Sequence, residues 1–196
     1  MYNKLAALVT AMLNYGGAAQ TQFADQHPND ACGMANDGLA APAPLTQEEL
    51  TAIDLPKPDK ESINTQLSET GLAYYGYTML LNSKTTLRFC FVKETPDTDI
   101  SGIHLSIGTG THTVTCNAKN YNDRYAYVEA EGIPAYDLNK AYTLTVNGKD
   151  LGSYSALTYV KDVLTDETAD ETLAGTVTAL YRYHEAAATY FNDQQD

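Results

Sequence analysis

The sequence begins and ends with two copies of one helical segment. Residues 5–26 align without a gap on residues 173–194, and 12 of the 22 aligned positions are identical at an offset of 168. Internal repetition of this kind is typical of modular arrays, in which one supersecondary unit recurs along a longer polypeptide. We therefore interpret residues 1–26 as the closing helix of a preceding repeat, followed by one full period of the array.

Both copies have the periodicity of an amphipathic helix. In the first copy the apolar residues recur three or four positions apart and predict one buried face, formed by Leu5, Leu8, Val9, Met12, Ala19 and Phe23. A nearly heptad stripe in the second copy predicts a matching face, formed by Leu173, Val177, Leu180, His184, Ala187 and Phe191. The pair Gly16-Gly17 is replaced by His184-Glu185 in the second copy, so we expect different neighbours at this point.

Residues 27–65 are predicted to form a linker that contains a short helix. The first part is rich in Asp, Asn, Gly and Pro, which favour turns and end the helical pattern. Thr46 followed by Glu48 and Glu49 has the cap and the acidic first turn of a helix start. The LPKPDKES segment after it is expected to be extended, because each proline restricts its own φ and the preceding residue.

Residues 66–154 have the period of two that predicts β-strands separated by turn sequences. The strand candidates are Gly71–Leu81, Thr86–Lys93, Gly102–Ile107, Thr111–Ala118, Arg124–Glu131 and Ala141–Val146. Residues 155–196 return to a helical period and predict a closing pair of helices, with Ser155 as the first cap. The expected fold class is α+β: an antiparallel Ig-like β-sandwich whose N- and C-terminal helices pack together.

The charge balance excludes several classes of partner. The chain has 12 Lys and Arg against 25 Asp and Glu, a net charge of -13, which disfavours nucleic acid and anionic lipid surfaces. No apolar run is long enough to predict a membrane span, so no membrane insertion is expected. The apolar N-terminus resembles a signal peptide superficially, but its recurrence at the C-terminus favours a packing helix.

Catalytic and metal-binding motifs are absent from the sequence. It has no GxSxG frame, no nucleotide-binding glycine pattern and no DxDxDG calcium frame. The histidines His27, His104, His112 and His184 and the odd set Cys32, Cys90 and Cys116 lack the spacing of metal ligands, although a Cys90–Cys116 disulfide stays possible. Acidic clusters at 97–99 and 166–171 are explained by turns and a helix start. We therefore expect a non-enzymatic chain without a cofactor.

Tyrosine is the one notable excess, with 15 Tyr against 4 Phe and no Trp. Rows of aromatic rings on a sandwich can stack on sugar rings, and their hydroxyls can bind sugar hydroxyls. Tyrosine is also a common strand residue, so the same rows fit an ordinary sheet. The candidate glycan-binding residues are Tyr74, Tyr75, Tyr77, Tyr121, Tyr125 and Tyr127.

The segments LVTAMLNYGGAAQTQF, NDGLA, YSALTYVKDVL and TALYRYHEAAATYF together resemble an uncharacterised repeat module of large secreted and surface-attached proteins of gut Firmicutes. The resemblance covers nearly the whole chain and implies an extracellular or cell-surface, non-catalytic setting beside other domains of a parent protein. It carries no catalytic residues. The resulting hypothesis is a bacterial spacer or adhesion module; the alternative is a carbohydrate-binding module that binds polysaccharide or host glycan.

Overall fold

The computed structural model describes residues 2–23, 41–53, 59–81, 84–108 and 114–192. Within them the chain is α+β, with antiparallel sheets and a helix at each end, which confirms the coarse fold class expected from the sequence. The helices are α1 Tyr2–Phe23, α2 Gln47–Ala52, α3 Lys60–Leu67, α4 Ala156–Thr165 and α5 Glu171–Asn192. The strands are β1 Leu72–Leu81, β2 Thr85–Lys93, β3 Ile103–Ile107, β4 Val114–Asn117, β5 Lys119–Asn120, β6 Tyr125–Glu131, β7 Tyr142–Val146 and β8 Lys149–Tyr154.

The chain folds as two compact units. The helical unit consists of Met1–Ile53, Pro134–Leu138 and Tyr159–Asp196, and the sheet unit consists of Asp54–Ile133 and Asn139–Thr158. Helices α1 and α5 therefore belong to the same unit, whereas the strands belong to the other.

The sheet unit contains two four-stranded antiparallel sheets. Their strand orders are β1-β2-β6-β5 and β4-β3-β7-β8. On the central strands buried and half-buried residues largely alternate, as the period of two predicts, and the buried residues include Leu87, Phe89, Phe91, Val128, Leu105, Leu144 and Val146. The ring of Tyr154 on β8 lies 4.8 Å from the ring of Phe89 on β2, so the buried faces of the two sheets meet in one apolar core.

A bulge in β1 changes which of its side chains face this core. The register of β1 on β2 shifts between Tyr74 and Gly76, and Gly76 has a φ of +150°. An extra residue reverses the in-and-out alternation of a strand. Leu72 and Tyr74 are consequently buried before the bulge, and Met79 and Leu81 are buried after it.

Two strands, β5 and β8, go beyond the six that the sequence predicts. Strand β8 pairs with β7 through a turn at Asn147–Gly148, where the φ angles are 51° and 77°. Two successive positive φ angles are typical of a type I′ hairpin turn, for which Asn-Gly is the favoured sequence. The β8 sequence KDLGSY does not alternate regularly between apolar and polar residues. In the sequence, only the Asn-Gly turn therefore indicates this hairpin.

The linker between the two helical copies contains two short helices. Thr46 caps α2 as expected, because its side chain accepts a hydrogen bond from the Glu49 N–H and the Glu49 carboxylate accepts one from the Thr46 N–H. The expectation of extended chain through LPKPDKES is wrong at its end. Asp59 caps α3, and this helix buries Ile63 and Leu67.

The expected buried face of α1 is also wrong. None of the α1 residues is buried, and the side chains of Leu5, Val9 and Met12 are 43%, 41% and 46% exposed. The corresponding stripe of α5 is buried at most of the predicted positions, namely Val177, Leu180, His184 and Ala187. Two helices with the same pattern therefore have different surroundings.

Candidate functional site

The six tyrosines proposed as a glycan platform do not lie together. Tyr74 and Tyr77 are on the core side of β1, where their ring centroids lie 5.7 Å from Phe91 and 5.6 Å from Phe89 respectively. These two rings pack in the interior and do not contribute to an outer surface. The other four are placed outside, with Tyr75, Tyr125 and Tyr127 on the strands and Tyr121 in the turn before β6.

The three strand tyrosines form a cluster on the outer face of the first sheet. On β6 the buried residues Ala126 and Val128 alternate with Tyr125 and Tyr127, which places both tyrosines outward. Tyr75 lies at the β1 bulge, and its ring meets the ring of Tyr125 edge-on at 6.4 Å. We call Tyr75, Tyr125 and Tyr127 the outer tyrosine cluster.

Each ring of the outer tyrosine cluster has a cation over it. Such cation–π contacts are favourable, but they cover one face of each ring. A sugar would therefore have to use the opposite face or displace a lysine or arginine. The pairs are Lys60 Nζ on Tyr75 at 5.2 Å, Arg124 Cζ on Tyr125 at 5.5 Å, and Arg88 Cζ on Tyr127 at 4.6 Å from the ring centroid.

Arg88 is fixed in place by a carboxylate on the neighbouring strand. Its Nη2 and Nε lie 2.7 Å and 2.8 Å from Glu129 Oε2, and the Glu129 side chain is only 8% exposed. Lys119 Nζ approaches the other oxygen of the same carboxylate at 3.8 Å. These ion pairs link strands β2, β6 and β5. Opposite charges paired across neighbouring strands stabilise a sheet.

The histidines have structural surroundings. His184 is buried on α5, and its Nδ1–H donates to the carbonyl oxygen of Ala135 at 2.6 Å. His104 Nδ1 lies 2.9 Å from Asn117 Oδ1 on the adjacent strand. His27 and His112 lie outside the described residues.

The described cysteines are free thiols, and carboxylates of the acidic clusters accept hydrogen bonds from residues close to them in sequence. Cys90 and Cys116 are free thiols whose pKa values are raised by burial, which disfavours a reactive thiolate. Asp99, Asp166 and Asp170 accept hydrogen bonds from residues two or three positions later, and these bonds lower their pKa values. Cys32 lies outside the described residues.

The part of the chain that the structure describes has neither a metal-binding cluster nor a membrane-spanning helix. No group of three or more His, Cys, Asp or Glu side chains in the described ranges is placed to hold a metal ion. No helix in that part of the chain is both long and apolar enough to cross a membrane.

The contact between α1 and α5 is the most distinctive arrangement in the helical unit. Thr176 Oγ1 lies 3.1 Å from the carbonyl oxygen of Ala18 and 2.9 Å from that of Thr172, so its one proton is shared between the two acceptors. Thr172 Oγ1 is likewise within hydrogen-bond distance of the side-chain oxygen of Gln22 and of Asp170 Oδ1. The contact positions rise along α1 as they fall along α5, so the helices are antiparallel. The ring of Tyr15 stacks on the ring of Tyr183, with 5.9 Å between centroids and 21° between planes.

These contacts join the same face of the two repeated helices. Tyr15 and Tyr183 are equivalent positions of the repeat, separated by the offset of 168. Thr172 and Thr176 are the equivalents of Lys4 and Leu8, which lie on the half-buried side of α1. The half-buried side of α1 follows a spacing of four and three residues, along Lys4, Leu8, Ala11, Tyr15, Ala18 and Gln22. The pair is thus close to an isologous contact, in which each partner offers the same surface.

The side chains in the α1–α5 contact are partly withdrawn from solvent, and the two helices approach each other closely. The pKa of the Tyr15 phenol is raised by its burial and, to a smaller degree, by the neighbouring Tyr183. The small side chains Ala11 and Ala18 allow the two backbones to come close enough for the Thr176 hydroxyl to reach a main-chain carbonyl. The predicted apolar face includes only Leu8 of this face, because Lys4, Ala11, Ala18 and Gln22 are small or polar. Their spacing of four and three residues was the available signal.

Two other sides of α5 are held by charged, polar and ring contacts within the helical unit. Arg182 Nη2 donates to Glu49 Oε2 at 3.0 Å and to the carbonyl oxygen of Pro44 at 2.9 Å. The same guanidinium reaches Glu185 Oε2 at 2.6 Å. Hydrogen bonds from Arg182, followed by one from the Thr46 N–H, lower the pKa of Glu49 from 4.5 to about 2. The turn at Ala135–Asp137 adds the ring of Tyr136 against Phe191, at 5.0 Å.

Comparison with known proteins gave no relative. No family model matches the chain, no curated protein matches it, and no solved structure matches it. The two candidate surfaces of the described residues are the outer tyrosine cluster and the matched faces of α1 and α5.

Proposed function

We propose that this chain is a non-catalytic spacer or adhesion module of a bacterial surface or secreted multidomain protein. The observation that carries the proposal is the antiparallel contact between two copies of one helix, α1 and α5, through equivalent faces. A contact of this kind between the closing helices of successive modules would set their relative orientation. An extracellular location and an Ig-like arrangement of the two sheets belong to the same proposal.

The residues in the helix pair support a structural use. Tyrosine stacking, alanine packing and a threonine-to-carbonyl hydrogen bond hold surfaces together, and none of these groups is a nucleophile activated by a base. The adjacent domains of the parent protein are the partners that this proposal names. The net charge of -13 disfavours nucleic acid as a partner.

A two-module protein tests the proposal. It consists of residues 27–172 followed directly by residues 5–196, which joins the two modules in the register of the repeat. Fluorescent labels on the two sheet units should report one narrow distance distribution. Ala18→Arg should broaden it, because a long cation at the close contact separates the helices, whereas Thr10→Arg on an exposed side of α1 should not. Equal, broad distributions in all three proteins would reject the proposal.

A carbohydrate-binding module is the second candidate, favoured by the outer tyrosine cluster and by Tyr121, which is 71% exposed. A glycan array of plant and host polysaccharides tests it. Tyr75→Ala and Tyr125→Ala should each weaken any binding that uses this face, and Tyr2→Ala, at an exposed tyrosine of α1, is the matched control. Absence of binding to every polysaccharide would eliminate this candidate.

A further inference from the structure

The repeat shows what kind of surface α1 exposes on its outer side. Apolar side chains recur there at positions that face away from α5, and we call Leu5, Val9, Met12 and Leu13 the outer stripe. Their equivalents in α5 are Leu173, Val177, Leu180 and Tyr181. Val177 and Leu180 are 0% and 1% exposed, although the matching Val9 and Met12 are 41% and 46% exposed. The outer stripe thus corresponds to a face that is covered in α5.

One segment that contacts this side of α5 is Pro134–Leu138. Its Ala135 accepts the hydrogen bond from His184, and the ring of Tyr136 lies 5.0 Å from the ring of Phe191 on the same stripe. We call this segment the covering layer. It lies in the sequence between the two helical copies, so a module of this kind carries one layer for each closing helix.

We propose that the outer stripe of α1 is the docking surface for the covering layer of a second module of the same kind. The inference rests on the proposed function and adds the surface and the partner. By the near-isologous geometry of the α1–α5 pair, the second module lies on the far side of α1 as the covering layer lies on the far side of α5. An apolar stripe along about two and a half helical turns is the surface that such a partner buries.

Charge favours this partner. Lys4 is the only charged residue in α1, whereas the whole chain has a net charge of -13. A second, equally acidic module therefore meets no acidic side chain on the helix. Most other surfaces of an acidic chain would repel such a partner.

The contact differs from the one in α5 at the position of His184. Gly16 occupies its place in α1, so the hydrogen bond that anchors α5 to Ala135 has no counterpart there. A Cβ added at Gly16 would meet no atom within 4 Å. The second module can accordingly bring its backbone closer to α1 than Ala135 comes to α5, with apolar contacts in place of the histidine bond.

Thiol labelling of the two-module protein tests the inference. Single cysteines are placed at Val9, Thr10 or Ala18 after the three native cysteines are replaced by serine, in both the 196-residue chain and the two-module protein. Val9→Cys should react rapidly in the 196-residue chain and roughly ten-fold or more slowly in the two-module protein, because local opening must then precede reaction. Thr10→Cys, on an exposed side of α1, should react equally fast in both.

The Ala18→Cys variant separates the two proposals. Slow reaction at Ala18 with fast reaction at Val9 in the two-module protein would overturn the docking surface and leave the helix pair intact. Fast reaction at Ala18 in both proteins would show that the helix pair itself does not hold, which rejects the proposed function. Failure of the upstream module to fold, seen as missing β-sheet signal, also overturns the docking surface, because α1 then does not complete that module.

Discussion

The repeated segments 5–26 and 173–194 contain most of α1 and α5 and are identical at 12 of 22 positions, yet the apolar stripe of one helix is buried and that of the other is exposed. Helix α5 buries Val177 and Leu180, whereas α1 exposes Val9 and Met12 at the matching positions. The face along which the two helices contact each other is half-buried in α1. The comparison teaches that helical periodicity identifies a face suited to burial, while the neighbouring chain decides whether it is covered.

The largest expected effect on the free energy of unfolding comes from shortening a buried side chain of α5, compared with the equivalent exposed side chain of α1. Leu180→Ala removes a fully buried side chain and should lower the free energy of unfolding by about 2–5 kcal/mol, because a cavity remains. Met12→Ala, at the equivalent exposed position, should change it by less than about 0.5 kcal/mol. Urea unfolding of the 196-residue chain measures both. Similar losses in the two variants would contradict the difference in burial.

A smaller effect should come from the contact that the helices share. Thr176→Val keeps the side-chain shape but removes the hydroxyl that donates to Ala18, so α1 should lose about 1 kcal/mol of its docking free energy. Hydrogen exchange of the α1 amides should accelerate roughly five-fold. Thr10→Val, on the exposed side of α1, is the control. Unchanged exchange in the Thr176 variant would show that the hydroxyl does not hold α1.

Replacing Gly16 of α1 should raise the stability of the helix by a similar or smaller amount. Gly16→Ala places a methyl group in open space and restricts the unfolded chain, so α1 should gain roughly 0.5–1 kcal/mol in the 196-residue chain. In the two-module protein the same methyl group should weaken docking. Slower hydrogen exchange in the first protein and faster exchange in the second would sharpen the comparison, and a gain in both would argue against close approach at Gly16.

The smallest effect concerns the ion pair that α5 has and α1 lacks. The pKa of Glu49 is lowered from 4.5 to about 2 in the folded chain, so its contribution is present above pH 4.5 and is lost as the pH falls toward 2. Glu49→Gln should therefore lower the melting temperature at pH 7 but have little effect near pH 2. Glu48→Gln, in the same turn, is the control. An equal shift at both pH values would exclude the ion pair as the cause.

Much of the sheet unit could be predicted from alternation alone. The predicted strands match β1, β2, β3, β6 and β7 to within one residue at each end, because one face of each strand is buried. The Tyr74–Gly76 bulge was not predictable, since a single extra residue inverts the faces without altering composition. Tyr77 consequently points inward, and the tyrosine platform is divided.

The helical unit was predicted less completely. The α5 stripe is confirmed at Val177 and Leu180, because a helix in a core must bury its apolar residues. The shared face could not be recognised by hydropathy, since Thr176, Ala18 and Gln22 are small or polar. What joins these residues is a close backbone approach, which depends on the partner helix and not on either sequence alone.

The stacking of Tyr15 on Tyr183 has a genetic consequence. Tyr15 and Tyr183 are equivalent positions that contact each other, so the same substitution in both copies places two identical side chains side by side. A charged side chain introduced in this way would be repelled by the identical charge on the other helix. On this face Ala11, Tyr15 and Ala18 are the same in the second copy, whereas Leu8 and Gln22 are replaced by Thr176 and Tyr190. The effect of a substitution in one helix thus depends on the residue at the equivalent position of the other.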